Sequence, residues 1–149
     1  MGFDMTYEFS IKKTEQEYFS LSEIAIKSNS DCTAIAKVKI LYFSGEAHVY
    51  TELAEIISFY CQLKELYENN SGNAVLFNME GIISLNLTSN SLGHIIVKGS
   101  LHNYPNSITF EFKIDQSYLP QTLEQLEEIS NLNPKLLQDV IAHRKKIKK

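Results

Sequence analysis

The sequence predicts an α+β domain built mainly of antiparallel β-sheet, on three observations. Short segments alternate apolar and polar residues in the two-residue period of a strand. Only residues 51–69, within the first two thirds of the chain, carry helical periodicity. The turns between adjacent strands span about two to five residues, too short for a crossover, so neighbouring strands pair antiparallel. The order is four strands, a central amphipathic helix, four strands and C-terminal helices. It implies two four-stranded meanders, stacked as a sandwich or sharing one strongly twisted sheet. No residue-level repeat relates the two halves.

In the first half, Tyr7, Phe9 and Ile11 alternate with Glu8, Ser10 and Lys12, which puts the apolar set on one face. Between residues 18 and 27 the apolar frame changes parity, from Phe19 and Leu21 to Ile24 and Ile26. A β-bulge across Ser22 and Glu23 keeps both pairs facing inward. After the turn Ser28-Asn29-Ser30-Asp31, residues 32–43 read as one long strand, with Ala34, Ala36, Val38 and Ile40 on the inner face. Ser44-Gly45 reads as a tight turn and residues 46–50 as a short fourth strand.

The helix over 51–69 brings Leu53, Ile56, Ile57, Tyr60, Leu63 and Tyr67 to one face, with Glu52, Glu55, Gln62 and Glu65 opposite. Thr51 is the expected N-cap, Glu52 suits the positive end of the dipole, and Asn69-Asn70-Ser71-Gly72 ends the helix. Residues 74–78 read as a short buried strand and Glu80-Gly81 as a turn. Ile83, Leu85 and Leu87 form the inner face of the next strand, and residues 89–93 form a turn. Ile95, Val97 and Leu101 share a face with Gly99 between them, marking a bulge or a close backbone approach. After a turn over 102–106, Ile108, Phe110, Phe112 and Ile114 give the clearest strand of the chain. Pro120 suits the first turn of a helix whose seam is Leu123, Leu126 and Ile129. Asn133-Pro134 caps a last helix through Leu136, Leu137, Val140 and Ile141.

A length of 149 residues, 44% hydrophobic and 21% charged, fits a single domain over residues 1–149 able to bury its own core. There is no apolar run of membrane-spanning length and no basic-then-apolar leader at the start, so the expected location is cytoplasmic. Gly2 and Thr6 satisfy a loose myristoylation template, but the acid and bulky apolar residues around them provide no second anchoring signal. Cys32 and Cys61 read as two reduced, buried thiols. Residues 1–143 hold nine bases against eighteen acids, while the last six residues, 144–149, hold five bases and read as a frayed, solvated tail. An acidic body argues against nucleic acid as the main partner and fits a basic protein partner or plain solubility.

The four histidines, His48, His94, His102 and His143, lie far apart without metal-ligand spacing, and no phosphate loop or nucleophile elbow is present. We therefore assign no catalytic, cofactor-binding or metal residues, no membrane partner and no cofactor. The Asn86-Leu87-Thr88 sequon falls inside a strand and is set aside.

Two runs carry a resemblance. Gly93-His94-Ile95-Ile96-Val97-Lys98-Gly99 is followed by Phe110-Glu111-Phe112-Lys113-Ile114-Asp115-Gln116-Ser117-Tyr118-Leu119. With Phe43-Ser44-Gly45, Leu63-Lys64-Glu65-Leu66-Tyr67 and Gly72-Asn73-Ala74, this pattern resembles the bacterial WapI-type immunity proteins over about residues 18–130. The resemblance implies a small cytoplasmic, non-enzymatic protein that binds and neutralises the toxic C-terminal domain of a cognate polymorphic toxin, often a nuclease. The motif residues read as structural. Gly93 permits a turn, Gly99 a bulge or close approach, Asp115 caps the helix through the backbone of residues 116–118, and Tyr118 packs with Leu119 as that helix enters.

The most organised negative surface in the sequence is Glu52, Glu55 and Glu65, with Glu68 at its edge, and it is the expected contact for a basic toxin. The strand loops around Asn90 and Asn103 are the next candidates. Two other functions stay open: a protein-interaction domain with a different partner, and a small enzyme using His94 and Asp115.

Overall fold

The computed structural model describes residues 5–78 and 80–147. Gly2, in the lipidation template, and Lys148 and Lys149 of the basic tail lie outside the described residues. The first meander comprises β1 (Tyr7–Thr14), β2 (Glu17–Ile26), β3 (Asp31–Ile40) and β4 (Phe43–Glu52). The second comprises β5 (Asn73–Phe77), β6 (Ile83–Ser89), β7 (His94–Asn103) and β8 (Asn106–Asp115). Each is a separate antiparallel sheet with its strands in sequence order. α1 (Leu53–Asn69) joins the sheets, and α2 (Leu119–Ser130) and α3 (Pro134–Ile147) follow a 3-10 turn over Gln116–Tyr118.

The inner faces of the two sheets meet in one apolar cluster. A chain of rings crosses it. Phe59 of α1 lies 5.9 Å from Phe9, Phe9 lies 6.4 Å from Phe19, and Phe19 stacks on Phe110 of the second sheet at 6.2 Å. The bulge expected in β2 is present: the register shifts between Ser22 and Ala25, and Glu23 takes a positive φ of 49°. That extra residue restores parity, so Phe19, Leu21 and Ile24 are all buried.

Four local expectations are corrected. The turn after β3 lies at Leu41-Tyr42, with Leu41 at φ 54°, and Ser44 and Gly45 continue β4 opposite Lys39 and Val38. A Cβ on Gly45 would stand 3.1 Å from Ile108 Cγ2, so this glycine serves the close passage of the two sheets and not a turn. Thr51 pairs with Cys32 inside β4 and its buried hydroxyl has no partner among the described residues. Glu52 holds the N-cap position without a side-chain bond, and the Leu53 amide donates instead to the Ser30 carbonyl at 2.9 Å. β5 is half-buried: Ala74 and Leu76 face inward while Val75 and Phe77 are exposed. On α1, Phe59 and Leu66 are buried and Tyr67 is exposed. Tyr67, in the last turns of α1, lies beside Gln116 after β8, whose side-chain amide donates to the Tyr67 carbonyl at 3.1 Å.

α1 and α2 each guard one edge of the sheet they do not follow. α1, after the first meander, places Gln62 Oε1 against the Val75 amide of β5 at 3.0 Å. α2, after the second, places Gln125 Oε1 against the Ser10 amide of β1 at 3.0 Å, and the Thr122 hydroxyl donates to the Ser10 carbonyl at 2.6 Å. Both edge strands are thereby closed to further pairing at those amides. Asn133 caps α3 as expected, its Oδ1 accepting from the Leu136 amide at 3.1 Å.

Candidate functional site

The acidic side chains of α1 do not form a single stripe. At about 100° of rotation per residue, Glu52 and Glu68 stand about 160° apart round the helix. The helix is also covered on nearly every side: between Leu53 and Leu66 only Lys64 is exposed. The cover is the two sheets, α2 and α3. Glu52 is exposed at the start and Glu68 at the end, while Glu55 and Glu65 are half-buried. Burial, helped by the Glu52 charge, raises the Glu55 carboxyl above its ordinary value. Glu65 accepts an ion pair from the Arg144 guanidinium of α3.

The basic tail is therefore helical as far as the described residues go. Residues 144–147 continue α3, and Arg144 is half-buried against α1. Beneath it lies a cleft of about 410 Å³ between α1, α2 and α3, lined by Tyr60, Cys61, Glu65, Glu68, Glu127 and Arg144 among others. Burial and the neighbouring Glu127 carboxylate push the Tyr60 phenol up. Burial pushes the Cys61 thiol up, with Arg144 pulling the other way. Cys32, fully buried beside Asp31, is pushed up to about 11. Both shifts favour the thiol over the thiolate at neutral pH.

His94 and Asp115 face each other across the β7–β8 ladder. They are not engaged as an acid–base pair: the buried His94 Nδ1 has no partner among the described residues, and Asp115 Oδ2 accepts from the Ser117 hydroxyl at 3.3 Å. Asp115 thus makes no helix-capping bond to the backbone. At the helix entry Leu119 is fully buried, while Tyr118 is 44% exposed. Gly93 takes φ 81° in its turn, as expected. Gly99 marks a close approach and no bulge: the register runs unbroken through it, and a Cβ there would meet Ser84 O at 2.4 Å and Phe110 Cζ at 2.7 Å. No three His, Cys, Asp or Glu residues cluster as a metal site among the described residues, and no described helix is long and apolar enough to cross a membrane.

A second surface went unseen in the sequence because residues 41–43 looked like strand. At the β3–β4 tip Leu41 is 54%, Tyr42 99% and Phe43 71% exposed, and Tyr104 on the β7–β8 tip is 75% exposed. The two hairpins are held together by Asn103 Nδ2 donating to the Glu46 carbonyl at 3.2 Å, beside the Gly45–Ile108 contact. The other expected loop is organised by Asn90, whose Oδ1 accepts from the Leu92 and His94 amides at 2.9 and 3.0 Å. The exposed Leu92 could not be told from core by periodicity.

No curated protein matches the chain. Among solved structures, the MRP1/MRP2 crystal structures of Trypanosoma brucei align at 6% identity and TM-score 0.42, covering 99% of this chain and 90% of that one. A guide-RNA-binding protein complex bound to a gRNA aligns at 7% identity and TM-score 0.49, covering 85% and 89%. Likenesses this distant support nothing about this chain. The model of the immunity protein WapI-like family matches residues 6–134, spanning both meanders, α1 and α2, and on that match the chain belongs to the immunity protein WapI-like family.

Proposed function

We propose that this protein is a cytoplasmic, non-enzymatic immunity protein that binds and neutralises the toxic C-terminal domain of a cognate polymorphic toxin, with a basic domain such as a nuclease as the partner. The family match over residues 6–134 carries this reading. Charge supports the basic partner: residues 1–134 hold eight bases against seventeen acids. The raised thiols, the unpartnered His94 Nδ1 among the described residues and the bonding of Asp115 to Ser117 favour binding over catalysis.

Of the expected set Glu52 and Glu68 are exposed, at opposite ends of α1, and Glu124, Glu127 and Glu128 of α2 are exposed as well, while Glu55 and Glu65 are half-buried. We assign the contact to these acids of α1 and α2. The test begins with the toxin domain encoded immediately upstream. Co-expression is expected to protect the cell, and purified partners to associate. Unrelieved toxicity overturns the immunity reading. Reversal of Glu52, Glu124 and Glu128 to Lys is expected to slow association about tenfold at low salt and flatten its salt dependence, with the fold retained. Equal rates for wild type and variant move the contact to the hairpin tips. There, large exposed aromatics have the make-up of a protein-binding hot spot, and Tyr42→Ala with Phe43→Ala becomes the weakening pair.

A further inference from the structure

The family match stops at residue 134, where α3 begins. Charge changes sign at the same point, because residues 135–149 hold six bases against one acid. α3 is docked differently from α2. Five α2 residues are buried, including Leu119, Leu126 and Ile129, whereas no described α3 residue is, and Leu136, Leu137, Val140 and Ile141 reach only half-burial. The cleft of about 410 Å³ lies between α3 and the two helices it rests on, so its apolar stripe does not fill the space beneath it.

The two ends of α3 are also held unequally. At the start, Asn133 caps the helix and its Nδ2 donates to the Ser30 hydroxyl at 3.3 Å. Towards the other end a polar contact with α1 among the described residues is the half-buried Arg144–Glu65 pair, whose side chains are 22% and 39% exposed. Arg144, Lys145 and the α1 residue Lys64 are the bases lining the cleft, against the carboxylates of Glu65, Glu68 and Glu127. If α3 swings away about Asn133, Arg144 and Lys145 leave with it. Lys64 then faces three carboxylates beside the apolar side chains of Tyr60 and Cys61.

We propose that α3 is a built-in placeholder: it occupies a surface of α1 and α2 that takes a basic amphipathic segment of the protein partner, and it is displaced from its Arg144 end when that partner binds. The partner's existence rests on the reading under Proposed function. The segment must be basic because the opened cleft is acidic, and amphipathic because the cleft wall is partly apolar. Nucleic acid is disfavoured by the same carboxylates.

Cys61 lines the cleft and Cys32 is fully buried in the first sheet, so thiol labelling separates opening of α3 from global unfolding. In the full-length protein, Arg144→Gln with Lys145→Gln is expected to label Cys61 with a small aromatic disulfide reagent about three- to tenfold faster than wild type. Cys32 is expected to keep its wild-type rate. A synthetic peptide of residues 134–149, added in excess, is expected to slow Cys61 labelling in this variant, and the same peptide with every Arg and Lys replaced by Gln is expected to leave it unchanged. An unchanged Cys61 rate in the variant, or equal acceleration of both cysteines, overturns the displaceable helix. Equal protection by the two peptides, or none by either, overturns the basic occupant. The labelling uses no toxin, so its failure leaves the immunity role standing, just as unrelieved toxicity leaves the displaceable helix standing.

Discussion

The two meanders have the same strand order and different ways of building an apolar inner face. The first sheet is irregular, with register shifts in β1 against β2 and in β2 against β3, and small residues, Ala34, Ala36 and Ala47, over much of its inner side. The second keeps an unbroken register across all its strands and fills its inner side with Leu76, Ile83, Leu85, Leu87, Phe110 and Phe112. The first sheet therefore adapts by bulging and leaving room for Phe19 and Phe59. The second adapts at one point, Gly99, where removing a side chain lets the Phe110 ring lie across its neighbour strand. A sheet can accept large side chains by bending its backbone or by deleting a Cβ, and the second solution concentrates the tolerance at one residue.

Replacing the two sheet glycines is the sharpest way to break that contrast. Gly99→Val forces a side chain into the Ser84 carbonyl and the Phe110 ring, and is expected to cost about 4 kcal/mol or more, enough to prevent folding. Gly45→Ala in the first sheet meets one methyl of Ile108 at 3.1 Å and is expected to cost about 1 kcal/mol. Urea denaturation checks both, and equal losses would remove the distinction.

Leu63→Ala, in the helix that bridges the sheets, comes next. Leu63 is fully buried, and its truncation is expected to cost about 3 kcal/mol through lost burial and a residual cavity. A loss under about 0.5 kcal/mol would deny α1 its place in the core.

The guarded edges give a smaller, paired comparison. Thr122 is buried at the β1 edge, so Thr122→Val leaves the Ser10 carbonyl short of a donor and is expected to cost about 1 kcal/mol. Gln62 meets an exposed amide at the β5 edge that water can serve in its place, so Gln62→Ala is expected to cost under about 0.5 kcal/mol. Amide exchange measured at Ser10 and Val75 should rank the same way. Faster exchange at Ser10 would reverse the ranking of the two edges.

The smallest effect is electrostatic. Folding raises the Glu55 carboxyl above its unfolded value near 4.5, so its charged form opposes folding. That penalty is absent below the unfolded value and complete once the pH has risen past the folded one. Glu55→Gln is accordingly expected to raise Tm by about 1–2 °C near pH 7 and to leave it unchanged below about pH 4, and an equal gain at both would assign the change to packing instead.

What the sequence determined by itself was whatever is written in local periodicity and local chemistry. The alternation Ile108, Phe110, Phe112, Ile114 named the inner face of β8, the parity change at Ser22-Glu23 named a bulge, and Asn133-Pro134 named a helix start, because each depends on residues a few positions apart. The family resemblance lay in the same kind of signal. Tertiary structure decided everything that depends on which surface arrives from far along the chain. Gly45 read as a turn residue because nothing near it announces Ile108. Residues 41–43 continued an alternating pattern although their backbone turns at Leu41. Glu65 of α1 looked solvated because its cover, α3, begins more than sixty residues later, and a 3.6-residue period records which side of a helix is polar without recording whether a second helix lies on it.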